Sequence, residues 1–261
     1  MPAARHVCAL TCLLLIAVST TELHAGSTAE DPLQSFVWHE MHARLLDNAP
    51  VTFDERVKVL LPDEAEDSMN VPVLVDASQL DDVVRIVVFA ELNPIPKVLE
   101  FEPLQALARI GFRLKVQQTT PVRAAVLTGD GVWHLGGRIV GAAGGGCTAP
   151  SLGSANPDWS SRLGEVSARL WQKPQATRLR LRVMHPMDTG LVDGIPAFYL
   201  ERLALRDAQG DVLSRLKLFE PVAENPMLTF DLPKLDRVTI EARDNNGNPV
   251  SARISTGQGG R

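Results

Sequence analysis

The sequence predicts an all-β protein built from two sandwich domains, and three observations carry that reading. Short runs rich in Val, Ile and Leu recur along most of the chain, Pro and Gly/Asp clusters separate them, and one glycine-rich stretch divides them into two series. A βαβ alternation would need helical patterns of about 10–15 residues between the runs, and the sequence does not supply them. A β-barrel gives the same local pattern and is the alternative that periodicity leaves open.

The elements follow in order. Residues 1–25 have a basic start at Arg5, an apolar stretch Ala9–Val18 and a small residue, Ala25, at the cleavage position. This is the pattern of an export signal, too short and wrongly flanked for a membrane anchor. Residues 26–50 form an N-terminal segment in which Asp31–Asn48 is expected to be a helix. Asp31 is its cap, Pro32 takes the first helical position, and Phe36, Trp38, Met41, Leu45 and Leu46 form the apolar stripe.

The first β series, residues 51–147, comprises Val57–Leu61, Val71–Val75, Val83–Ala90, Ile110–Val116, Val122–Leu127 and Val132–Val140. Residues 148–176 are expected to be a linker with a short helix, its face set by Trp159, Leu163, Val166 and Leu170 and its cap by Asn156 or Asp158. The second series, residues 177–255, comprises Arg178–Val183, Ala197–Leu205, Val212–Phe219, Met227–Leu232, Val238–Ala242 and Val250–Ile254. Asn246-Gly247 marks the hairpin before the last strand. Residues 256–261 are a tail.

Composition narrows the function. The chain has 261 residues, 26 Lys+Arg against 31 Asp+Glu and a formal charge of −5, with no basic run. Nucleic acid and anionic membrane are therefore poor partners. Aromatic residues are 5% of the chain, too few for a base-stacking platform.

Of three cysteines, Cys8 and Cys12 lie in the signal-like segment, so Cys147 alone is left in an exported protein. One thiol cannot close an internal disulfide. In an oxidising compartment it is an intermolecular partner, a reactive thiol or a bystander. Gly144, Gly145 and Gly146 precede it and Thr148-Ala149 follow, so nothing bulky in sequence shields the sulfur. The expectation is an exposed thiol on a flexible arm, free to pair with a second copy as a disulfide-linked homodimer. No Lys, Arg or His lies within several residues to favour the thiolate, which suits a group-carrying thiol better than a catalytic nucleophile.

Other constellations are weaker. Gly141, Gly146 and Thr148 have P-loop spacing, but Cys147 stands where the phosphate-gripping Lys belongs. His39, Met41 and His42, and the cluster Met184-His185-Pro186-Met187, have soft-ligand chemistry suited to copper. Their bland readings are a helix face and a strand ending in a turn. His134 stands alone in a strand. No metal, cofactor or catalytic acid–base set is expected.

The residues also resemble a known family. Leu60-Leu61-Pro62 with Ala65-Glu66-Asp67, Val71-Pro72-Val73, Asn93-Pro94-Ile95-Pro96 and Gly145-Gly146-Cys147 are similar to the SoxY subunit of the SoxYZ sulfur carriers. His185-Pro186-Met187-Asp188-Thr189-Gly190, Ile195-Pro196-Ala197, Asn225-Pro226 and Asp244-Asn245-Asn246-Gly247 are similar to SoxZ. The resemblance implies two immunoglobulin-like sandwiches and a periplasmic carrier, not an enzyme, with sulfur held on Cys147 for partner enzymes. Family members end in Gly-Gly-Cys-Gly-Gly. Here Thr148 and Ala149 follow the cysteine and the chain continues, as in fused SoxYZ-like carriers associated with quinoprotein (PQQ) dehydrogenases. A cysteine tethered on both sides reaches at most about 20 Å beyond Gly141. That favours a shallow docking site on the partner over a deep tunnel. Non-covalent scaffolding of the same system and copper handling are the alternatives.

Overall fold

The computed structural model describes residues 30–151 and 159–257. The signal-like segment, the Asn156/Asp158 cap and most of the tail lie outside them. Fifteen strands form two sheets. In the first half these are β1 (Val51–Phe53), β2 (Lys58–Leu60), β3 (Val71–Asp76), β4 (Val83–Ala90), β5 (Lys97–Glu102), β6 (Arg109–Leu114), β7 (Thr120–Thr128) and β8 (Trp133–Val140). The second half has β9 (Val166–Gln172), β10 (Thr177–Val183), β11 (Leu200–Arg206), β12 (Val212–Leu218), β13 (Met227–Leu232), β14 (Arg237–Asp244) and β15 (Pro249–Ser255). The fold is two immunoglobulin-like β-sandwich domains, as the sequence indicates.

The domains are joined more intimately than a linker would require. One sheet runs β1-β8-β7-β4-β5-β12-β11-β14-β15 and the other β2-β3-β6-β13-β10-β9. In each, a first-half strand pairs antiparallel with a second-half strand: β5 with β12, and β6 with β13. Pairing the exposed edges satisfies their backbone groups and removes a site of aggregation. Alternating side chains place Ile110, Phe112, Leu179, Leu181, Leu228 and Phe230 between the layers, all buried. The core is continuous from Val57 to Ile254, and Phe101 meets Phe230 across the junction with ring centroids 5.8 Å apart.

Two expected helices are revised. The first helix, α1, spans only Trp38–Leu46. Asp31 is drawn away from a capping role by the buried Arg123, whose Nη2 donates to it at 2.7 Å, and it closes a turn by accepting from the Leu33 and Ser35 amides. Phe36, expected on the apolar stripe, is 84% exposed. The helix expected near residues 159–170 is a 3-10 turn, Trp159–Arg162, followed by β9. Val166, Ala168 and Leu170 are buried and Ser167 and Arg169 exposed, so the period there is two, not 3.6. The segment 148–176 thus contributes an edge strand to the second sheet.

Candidate functional site

The arm leaves β8 at Val140 and returns to the body of the protein. Gly141 N–H donates to Asp63 O at 2.7 Å, and its carbonyl accepts from Ala65. Gly144 N–H donates to Ser68 Oγ at 3.3 Å, Gly145 N–H to Gln117 O at 3.1 Å and Gly146 N–H to Val116 O at 3.0 Å. Gly144 and Gly145 have φ of +106° and +81°, a region closed to most residues. A Cβ on Gly146 would lie 2.1 Å from Ser68 O and 2.6 Å from Val116 O. The glycines are therefore what lets this backbone lie flat against the end of β6.

Cys147 is consequently not exposed: it is 1% accessible. The expectation of an open thiol is corrected because sequence neighbours do not determine shielding; residues distant in sequence close over the sulfur. Cys147 N–H donates to Gln117 Oε1 at 3.2 Å, and Sγ donates weakly to Lys115 O at 3.6 Å. From the second domain, Thr189 Oγ1 donates to Cys147 O at 2.7 Å. Asn93 of the first domain and Thr189 of the second thus both serve the pocket. Asn93 braces it by donating to Lys115 O at 2.8 Å and accepting from Gln117 N–H at 2.8 Å.

Lys115 is the site residue that sequence reading misses. Outward residues of β6 are Arg109, Gly111 and Arg113, so alternation would send Lys115 outward too. The strand ends at Leu114, and Lys115 and Val116 are both buried. Lys115 Nζ donates to the Met187 carbonyl of the second domain. Burial pushes the Lys115 amine down to about 8, opposed by Cys147, Asp188, Glu224 and Glu220. Burial likewise pushes the Cys147 thiol up to about 11, with Lys115 opposing. At neutral pH the docked pair is a neutral thiol beside an ammonium, and the sulfur is a poor nucleophile.

The sign of the lysine's contribution follows from its depressed value. Below about pH 8 the folded protein carries the whole cost of burying the ammonium. As pH rises further toward 10.5, the unfolded chain holds a proton that the folded one has released, so this group makes stability increase. The raised Cys147 value works the other way from pH 9 to about 11. Lys115→Met is therefore expected to stabilise the fold by about 2 kcal/mol at neutral pH, once the lost hydrogen bond is discounted. Urea denaturation near neutrality and near about pH 9 checks this: the gain should shrink at the higher pH. A variant less stable at both values would contradict it.

Most of the other candidates have protein partners. His42 Nε2 lies 2.8 Å from Ala49 O and its ring stacks on Trp38, while Met41 is buried. His39 is exposed. Met187 Sδ accepts from Leu200 N–H at 3.2 Å, and His185 Nδ1 accepts from Met187 N–H at 3.2 Å. His134 Nδ1 lies 2.8 Å from Asp54 Oδ2. Among the described residues no group of three or more His, Cys, Asp or Glu side chains is arranged to hold a metal.

Fold and site together define a tandem β-sandwich protein in which one thiol, the only one among the described residues, sits on a glycine arm where the domains meet. The family description "Sulfur oxidation protein SoxY" matches residues 42–147, and "Sulphur oxidation protein SoxZ" matches residues 168–255. The chain is a SoxY domain and a SoxZ domain in one polypeptide and belongs to the SoxYZ-like sulfur carriers. Among solved structures it is similar to the sulfur carrier protein SoxY from Chlorobium limicola f thiosulfatophilum. The two share 22% identity over 39% of this chain and 88% of that one, with a TM-score of 0.35. No curated protein matches the sequence.

Proposed function

We propose that this protein is a periplasmic covalent carrier that holds a sulfur-bonded group on Cys147 and presents it to partner enzymes, as an accessory of a quinoprotein dehydrogenase system. The observation that carries the reading is the position of Cys147. It closes the segment matched to SoxY, behind Gly145-Gly146, and it sits against the SoxZ domain. The export pattern of residues 1–25 supports the compartment. Among the described residues no helix is long and apolar enough to cross a membrane. The fusion of the two domains supports the quinoprotein association, through the resemblance to fused carriers.

Loading requires the arm to leave its pocket, because a 1% exposed sulfur cannot meet a donor. Release breaks the contacts with Ser68, Gln117 and Thr189 and exchanges them for water. The free thiol then loses its proton to solvent, and the thiolate attacks a donor R–S–S–R′. Cys147–S–S–R forms and R′–S⁻ departs, with no net change in oxidation state. The partner supplies the acid–base chemistry.

Intact mass of the protein prepared without reductant tests the reading, with Cys147→Ser alongside. The expected result is an adduct that reductant removes and that the serine variant never shows. Unmodified thiol under several growth conditions, or only a doubled mass from a disulfide dimer, would overturn it. Burial of the resting thiol favours one second reading, a non-covalent scaffold. In that case Cys147→Ser would leave partner pull-down and phenotype intact.

A further inference from the structure

The chain is acidic overall, yet the outer face of the six-stranded sheet is not. Outward positions on β6, β10 and β9 carry Arg109, Arg113, Arg178, Arg180, Arg182 and Arg169. Pairing places Arg180 opposite Arg169 on one side and Thr229 on the other, with Gly111 next across the domain junction. Residues opposite one another share a face, so these arginines form one patch. Among the carboxylates around them, Asp76 and Asp231 pair with Arg109 and Arg178, Asp67 and Glu224 line a cavity beside Arg113 and Arg182, and Glu165 acts electrostatically on Arg182.

Among the described residues Arg113, Arg169, Arg180 and Arg182 make no ion pair. Arg169 and Arg180 instead lie over the half-buried Trp171, at 5.3 and 6.0 Å from the ring centroid. On the outer face of the other sheet Arg237, Arg243 and Arg253, on β14 and the edge strand β15, are likewise exposed, but the centre of that sheet behaves differently. There Arg85, Lys97, Arg206, Arg215 and Lys217 each reach Glu100, Glu102 or Glu241 within 4 Å. Unpaired guanidinium on the six-stranded sheet is thus gathered around Arg180 and Trp171.

We propose that this arginine face is the docking surface for a partner protein whose contact surface is acidic. Its extent selects the occupant. Three inter-strand steps and four residues along β10 give a patch of about 15 by 13 Å. That is the size of an interface centre and too spread out to converge on one small oxoanion. Its floor is low, because Gly111 and Thr229 line a shallow cavity of about 290 Å³ between the arginines. Carboxylates of a partner can therefore reach the guanidiniums from above. Arg and Trp are also the residue types that dominate binding energy at such centres.

The face adjoins the arm. Arg113 and Arg182 share a second cavity, of about 300 Å³, with Asp67, Met69, Asn70 and Glu224. Between Asp67 and Met69 stands Ser68, whose hydroxyl holds Gly144 and whose carbonyl packs against Gly146. An acidic partner seated on the arginines meets the loop that retains Cys147. This deepens the carrier reading by giving the partner its chemistry, and it rests on that reading for the purpose of the contact, not for the contact itself.

The test places a photo-crosslinking residue at position 180 of the full chain in cells that make it, and at position 206 as a control. The captured protein is then purified and its affinity measured against ionic strength. Support requires an acidic crosslinked surface. It also requires binding at least tenfold weaker in Arg180→Glu with Arg182→Glu, and changed less than about twofold in Arg215→Glu with Lys217→Glu. Moderate salt should weaken the wild-type complex in the same sense. Both substituted positions on the face are exposed, and thermal melts confirm folding; Arg180→Gln with Arg182→Gln is the milder pair should the reversal unfold. Capture of a second copy of the chain, capture of lipid, no capture, or equal losses on both faces would each overturn the proposal. Intact mass of Cys147 reads the carrier function separately, so either idea can fail alone.

Discussion

Gly146→Ala is expected to expel the arm and raise the alkylation rate of Cys147 by tenfold or more at neutral pH. The new Cβ would stand 2.1 Å from Ser68 O and 2.6 Å from Val116 O. Both are backbone atoms fixed by the bond from Val116 N–H to Ser68 O at 2.8 Å, so neither can yield as a flexible side-chain end would. Expulsion returns the thiol from about 11 to its ordinary value of 9.0, a gain of about 100-fold in thiolate. A less basic thiolate is also less nucleophilic, which takes back roughly tenfold. Uncovering a sulfur that is 1% accessible adds to what is left. Iodoacetamide kinetics followed by mass spectrometry measure the effect. Gly145→Ala is the control, since a Cβ there meets nothing within 4 Å and bears only the strain of positive φ. Equal rates in wild type and Gly146→Ala would mean that the docked arm is not the resting state.

Arg123→Met is expected to cost about 3–5 kcal/mol, the largest stability loss of any substitution considered for this protein. Arg123 is 1% exposed and pairs through Nε with Glu91 and through Nη2 with Asp31 at 2.7 Å. Its guanidinium also lies 4.7 Å from the Trp38 ring centroid. Methionine fills much of the volume but leaves the buried carboxylate of Glu91 with only the Ser35 hydroxyl. Asp31 loses its cation as well, so the segment before α1 is loosened. A protein of this size should melt roughly 10 °C lower. Glu91→Gln in the same chain removes the stranded charge and should restore part of the loss. Urea unfolding of both singles and the double checks this. A cost below about 1 kcal/mol, or no coupling in the double variant, would contradict it.

The two predictions concern residues that differ in how readable they are. Gly146 and Cys147 are visible in the sequence as a glycine stretch ending in a lone cysteine. Nothing in their neighbourhood announces Ser68, Gln117 or Thr189, which lie 30 to 79 positions away in the chain and close the pocket. Arg123 interrupts an apolar run in β7, a legible oddity, but its partners Asp31 and Glu91 lie on other segments. The helix expected from Asp31 onward fails for that reason: the capping carboxylate is taken by a tertiary ion pair. Strand β5 is absent from the sequence reading because Val98, Leu99 and Phe101 are all buried, so its burial does not simply alternate. It is interior to its sheet, flanked by β4 and β12, and a short apolar run of that kind has no clear period.

Local chemistry alone determined the class of this protein. Alternating apolar runs specify strands, turn residues specify their breaks, and Cys147 behind three glycines marks the candidate site. Only the tertiary structure decided the state of that cysteine and the charge of each face. Burial and electrostatics depend on which distant segments share a pocket or a sheet surface, and composition averages over both. The net charge of −5 therefore coexists with an arginine face, and a cysteine flanked by small residues is buried.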